Sequence, residues 1–153
     1  MGAGELSLTL FYSNPTIYAY EVQYNNTVNV IYYDWLVDMA KKMENLKVVF
    51  TFTREKEIDF SCDHPRIIYR KGRFFFNPEG KQERTLSKYH GNIKASFNPI
   101  CGSSGFINGI VKRGDGRVER GRGIMQDLVD IEGLRSEQID REQFYLQIEG
   151  ATK

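Results

Sequence analysis

The run Lys47-Val48-Val49-Phe50-Thr51-Phe52-Thr53 narrows the choice of fold more than any other stretch of this chain. Its β-branched and aromatic side chains suit a pleated surface, and a strand apolar on both faces must be covered on both. It therefore predicts a buried strand inside a layered domain. Upstream, Leu6 to Tyr12 sets Leu6, Leu8 and Leu10 against Ser7 and Thr9, which predicts a second strand, stopped by Ser13-Asn14-Pro15. Between them, Tyr32, Leu36, Met39, Ala40 and Met43 fall at helical spacing within Val30 to Leu46, with Asp34, Asp38, Lys41 and Lys42 interspersed.

The alternation continues. A helix is expected near Gln82 to Tyr89, a short strand at Ser96 to Cys101, and a helix opened by Ser103. Helical spacing returns at Ile124, Leu128 and Ile131, and Gln143 to Ile148 makes a closing strand. Asp63-His64-Pro65 towards Lys71-Gly72-Arg73 reads as a loop, and glycine with charge interrupts the pattern from Lys112 to Gly123. Strands alternating with helices predict an α/β fold, a mostly parallel sheet with helices on both faces. The strand ends Tyr12-Ser13-Asn14, Thr53-Arg54-Glu55 and Cys101-Gly102-Ser103 then converge on the edge where open sheets hold ligands.

At 153 residues the expectation is a single domain, 1–153, with 41% hydrophobic and 27% charged residues, as in soluble globular proteins. A net charge of +1 supplies no field for nucleic acid or a membrane surface, and no stretch reads as a signal peptide or spanning helix, so the cytoplasm is expected. Two cysteines are too few for a disulfide scaffold. Cys62, His64, His90 and Cys101 match no usual zinc spacing, so no metal site is expected. Arg113, Arg117, Arg120 and Arg122 are diluted by Asp115 and Glu119 and read as a solvated loop. Phe74-Phe75-Phe76 cannot all face one side of a strand and reads as core or as a partner contact.

One turn carries chemistry. In Ile100-Cys101-Gly102-Ser103-Ser104-Gly105-Phe106, Gly102 and Gly105 remove side chains that would keep a ligand from the backbone. Ser103 and Ser104 offer hydroxyls and amides at a helix start, a seat for a pyrophosphate. Cys101 stands at a strand end, either as a site residue or as an inert thiol.

Taken in order, these segments resemble a known family. Leu10-Phe11-Tyr12-Ser13-Asn14, Tyr33-Asp34 through Leu36 and Ala40 to Asn45, and Leu46 to Glu55 are similar to the NAD(P)-binding module of the ferredoxin-NADP reductase-like flavoenzymes. Lys71-Gly72-Arg73 resembles that family's Gly-Arg step, Ile100 to Phe106 its Cys-Gly-small-small-Gly turn, and Gly133-Leu134 through Gln138-Ile139 to Glu142-Gln143-Phe144 its closing strand. The resemblance implies a Rossmann-like fold and electron transfer between a nicotinamide, NAD(P), and a flavin, FAD or FMN, on a separate domain or subunit. It puts Cys101 near the reacting carbon and Glu142 at the flavin-facing end, the two candidate catalytic residues. Gly102, Ser103, Ser104, Gly105 and Phe106 would cradle nicotinamide and pyrophosphate, Ser13 and Asn14 would meet the adenosine side, and Thr53 and Arg54 the adenine ribose or its phosphate. Arg54 favours a 2′-phosphate and Glu55 a 2′-hydroxyl, so NAD and NADP stay open. The family's flavin barrel and its first strand with a Gly-Gly-x-Gly turn have no counterpart in these residues. A non-enzymatic partner or remnant with the same fold and no dinucleotide binding is the alternative.

Overall fold

A computed structural model describes residues 6–14, 33–53 and 63–144, with backbone alone at 14, 103–105, 111–112 and 141–144. The chain divides into two compact units, Met1–Thr85 and Leu86–Lys153. Among the described residues no helix is long and apolar enough to cross a membrane.

The first unit is α/β. Its sheet holds three parallel strands in the order β1 (Leu8–Asn14), β2 (Leu46–Phe52) and β3 (Ile67–Lys71). Helix α1 (Tyr33–Lys42) separates β1 from β2 in the chain. The alternation of β2 sends Val48, Phe50 and Phe52 to the face where Leu36 and Ala40 of α1 pack, with Leu46 and Ile67 completing the core. The Phe50 ring stacks on Tyr69 with centroids 5.6 Å apart and tilts against Tyr33 at 5.3 Å. The Tyr33 and Tyr69 hydroxyls share a 2.7 Å hydrogen bond. Each buried phenylalanine here is worth about 1.5–3 kcal/mol against exposure. The helix ends against Arg66, whose Nε and Nη2 donate to the Ala40 carbonyl at 3.2 and 2.8 Å, a cation at the negative pole of the helix.

Within this unit an aromatic segment packs on the opposite face. Phe74 meets Phe11 edge-on at 5.8 Å, and Phe75 is only 2% exposed. Of the Phe74-Phe75-Phe76 run, Phe75 is therefore core, while Phe74 and Phe76 are half-buried. Arg70 lies beneath it, 7% exposed, pairing in register with Thr51. Its guanidinium donates to Thr51 Oγ1 and to the Phe76 carbonyl, both at 3.1 Å, and stands 3.8 Å from the Glu83 carboxylate. That arrangement explains why β3 is a strand where a loop was expected. Its charged residue is buried with partners, which the hydrophobic pattern cannot register.

The second unit has its own parallel ladder, β4 (Asn98–Ser103) with β7 (Ile139–Phe144). Helix α2 (Thr85–His90) starts at the unit boundary, α3 (Ser104–Asn108) follows β4, and α4 (Ile124–Asp130) precedes β7. Ile93, Ile107, Leu128, Ile131, Leu134 and Ile139 are buried. Glu132, 2% exposed, accepts from the Leu86 amide at 2.8 Å and the Ser87 hydroxyl at 2.6 Å, satisfying first-turn donors of α2.

The segment expected to interrupt the helices is a β-hairpin, β5 (Ile110–Lys112) antiparallel to β6 (Val118–Arg120). Glycine is required at its base. The Gly121 amide donates to the Gly109 carbonyl at 2.7 Å, and a Cβ on Gly109 (φ +70°) would lie 2.6 Å from the Gly121 carbonyl carbon. A Cβ on Gly123 would lie 2.6 Å from the Asn108 carbonyl carbon. Two backbone segments cross there in contact.

Candidate functional site

In the first unit, parallel pairing makes the three strands finish together. Asn14, Phe52 and Lys71 stand in register at the carboxyl edge. Ser13 is one step inside, opposite Thr51, and is half-buried; Thr53 follows β2 and is half-buried too. Ser13, Asn14 and Thr53 are thus brought to one edge, whereas Cys101-Gly102-Ser103, expected at the same edge, belongs to a separate two-stranded ladder in the second unit. Arg54 and Cys62 lie outside the described residues.

The same edge carries Lys71-Gly72-Arg73, which the sequence places at the end of a loop and which resembles the family's Gly-Arg step. Lys71 ends β3, Gly72 turns the chain at φ +90° with its amide donating to the Phe52 carbonyl at 2.9 Å, and Arg73 follows. Together with Phe76, Asn77 and Gly80 they line a groove of about 490 Å³. The signal was present: Lys71-Gly72-Arg73 pairs two cations around a glycine, but without a strand assigned to Ile67–Lys71 nothing placed it at the ligand edge.

In the second unit, the ladder puts Cys101 directly opposite Glu142, Gly102 opposite Gln143 and Ser103 opposite Phe144. The two candidate catalytic residues are therefore neighbours across one pair of strands, close to its carboxyl end. Cys101 is a free, exposed thiol, accessible to a ligand rather than sealed in a core. Ser103 closes β4 and Ser104 opens α3, one residue later than expected. At five residues α3 is little more than one turn, so few peptide dipoles add up at its start. The pyrophosphate seat imagined at Ser103, Ser104 and Gly105 would have to rest on individual amides and hydroxyls.

Gly102 is buried, and its missing side chain has an identifiable neighbour. A Cβ there would lie 3.2 Å from Cγ and Cε1 of Phe106 and would overlap Cδ1. The Phe106 ring, 40% exposed, thus lies over the glycine, so that these two predicted cofactor-binding residues pack on each other.

Three of the arginines beyond this turn, Arg113, Arg117 and Arg122, are engaged with acids. Arg122 donates to Asp127 and, at 2.7 Å, to Asp130, while Arg113 bonds Glu119 and Arg117 bonds Asp115. Hydrogen bonds from Gln126 and then Arg122 hold the Asp130 carboxyl below its ordinary range, and Arg113 does the same for Glu119. The groove lined by Ile107, Asn108, Gly121, Arg122, Gly123 and Gln126 consequently presents a neutralised arginine.

No family model matches this chain, and neither a curated protein nor a solved structure matches it.

Proposed function

We propose that this chain is the NAD(P)H-binding part of a flavin-dependent oxidoreductase, Rossmann-like in fold, acting with FAD or FMN held on another domain or subunit. The observation that carries the reading is the pairing of Cys101 with Glu142 across a parallel ladder whose carboxyl end runs into the Cys-Gly-small-small-Gly turn. The convergence of Ser13, Asn14 and Thr53 at the edge of the other parallel sheet supports it.

The residues present suit a dinucleotide. Cys101 is exposed, so a flat ring could lie against it, and Thr53 offers a hydroxyl for a ribose. The bound nicotinamide would supply the hydride. In the second unit, Cys101 and the backbone of 102–105 would meet the ring and pyrophosphate, with Glu142 towards the flavin; in the first unit, Ser13, Asn14, Thr53 and Arg54 are the candidates for the adenosine, its ribose or its phosphate.

One observation favours the other reading, a partner or remnant domain that binds no dinucleotide. Phe106 over Gly102 gives that glycine a packing role of its own. Titrating the purified chain with NADPH and NADH, following Trp35 emission and reduced-nicotinamide fluorescence, separates the two. Saturable binding of either, without bound flavin and without NADH oxidation faster than free flavin gives, is the expected result. Absence of saturable binding by both supports the remnant.

A further inference from the structure

The hairpin β5–β6 takes no part in the dinucleotide assignments, and one of its edges is open. The Arg113 amide donates to the Arg117 carbonyl at 2.8 Å and the Gly121 amide to the Gly109 carbonyl at 2.7 Å, which fixes the alternation of the ladder. The pair between them, Val111 with Glu119, is the hydrogen-bonded one. Val118 and Arg120 stand in the other pairs, so their N–H and C=O groups point away from β5. Among the described residues no strand pairs with β6 on that side. A two-stranded hairpin is marginal by itself, and a third strand would complete it.

The side chains select what can pair there. Val118, 50% exposed, and Arg120, also exposed, share one face of β6, and that face of the strand carries no carboxylate. Glu119 lies on the other face, bound by Arg113, while Asp115 is bound by Arg117. Among the described residues Arg120 forms no ion pair. A second copy of the chain cannot supply the missing acid. Outward-facing residues of β6 pair with outward-facing residues, which are the even-numbered ones, whereas the acids of the hairpin are Asp115 and Glu119. Self-pairing centred on Glu119 or on Arg120 also sets like charges face to face.

We infer that β6 docks an extended acidic segment of another protein, added antiparallel as a third strand. The segment needs a carboxylate opposite Arg120 and, two residues later, a β-branched apolar side chain opposite Val118. Main-chain bonds to β6 give affinity, and these two side chains give selectivity. This docking holds whether or not a dinucleotide binds. A ¹⁵N-labelled full chain titrated with the end-blocked heptapeptide Thr-Thr-Glu-Thr-Val-Thr-Thr tests it. The Val118 and Arg120 amides shift saturably, and the same peptide N-methylated at its valine no longer shifts them. Lysine in place of the peptide's glutamate weakens binding about fivefold, and Arg120→Glu reverses that preference. Arg120 is exposed, and an unchanged far-UV circular dichroism spectrum confirms that the variant is folded. Unmoved β6 amides, equal binding of the N-methylated peptide, or a glutamate preference that survives Arg120→Glu overturns the assignment. So does a shift of these amides with protein concentration alone, which would mean pairing with a second copy.

Discussion

Gly102 is the position where packing and ligand binding make opposite demands on one missing methyl group. A Cβ added there meets Phe106 at 3.2 Å from both Cγ and Cε1 and overlaps Cδ1. Filling a tight contact of this kind costs about 1–3 kcal/mol. Phe106 is 40% exposed, so its ring can swing outward and the lower end of that range applies, about 1 kcal/mol for Gly102→Ala. Phe106→Ala removes the obstacle, and in that background Gly102→Ala should cost close to nothing, a coupling of about 0.5–1 kcal/mol. Urea unfolding of the four proteins of this cycle, followed by far-UV circular dichroism, measures it. An equal cost with and without Phe106 would refute the packing argument. The same four proteins separate the two roles of the glycine. If the turn also approaches a dinucleotide, Gly102→Ala still lowers NADPH affinity when Phe106 is alanine.

Phe50→Ala empties the centre of the aromatic cluster with Tyr33 and Tyr69 and should cost about 3–5 kcal/mol in urea unfolding. Arg70→Met strips a buried guanidinium from Thr51, the Phe76 carbonyl and Glu83, with an expected loss of about 3 kcal/mol, because breaking a buried pair leaves its acid desolvated. A thermal midpoint within error of the parent would contradict this. Asp130, held below its ordinary range by Gln126 and Arg122, binds fewer protons in the folded state than in the unfolded. Its contribution is therefore present above the unfolded carboxylate pKa and lost as pH falls through the lower, folded value. Arg122→Gln should raise the Asp130 midpoint towards the ordinary range in an NMR titration, and an unmoved midpoint would rule out the pairing.

How much was legible follows from where each signal lives. Strand β2 could be read because both of its faces are apolar, and its observed limits differ from the expected ones by one residue. Strand β3 could not, since Arg70 and Lys71 break the apolar pattern and the partners that bury Arg70 lie 6 to 19 residues away in sequence. The groove at Lys71 to Gly80 was lost with it. The hairpin β5–β6 has three-residue strands with Val118, Glu119 and Arg120 all exposed, so no period marks it, although Asp115-Gly116 is the dipeptide that closes such turns. The closing strand was expected at Gln143 to Ile148 and begins at Ile139, because Asp140, Arg141, Glu142 and Gln143 hide a strand held by pairing with β4. The turn after β4 was legible from its glycines and small residues. The reason for Gly102 was half legible, since Phe106 is four residues on and could have been placed over it.

Chemical-shift mapping tests the dinucleotide reading most directly. A ¹⁵N-labelled chain is titrated with NADPH and its backbone amides are followed. The account predicts saturable shifts at Cys101 to Phe106 and at Ser13, Asn14 and Thr53. An unchanged spectrum, or shifts confined to residues away from both strand edges, would contradict it.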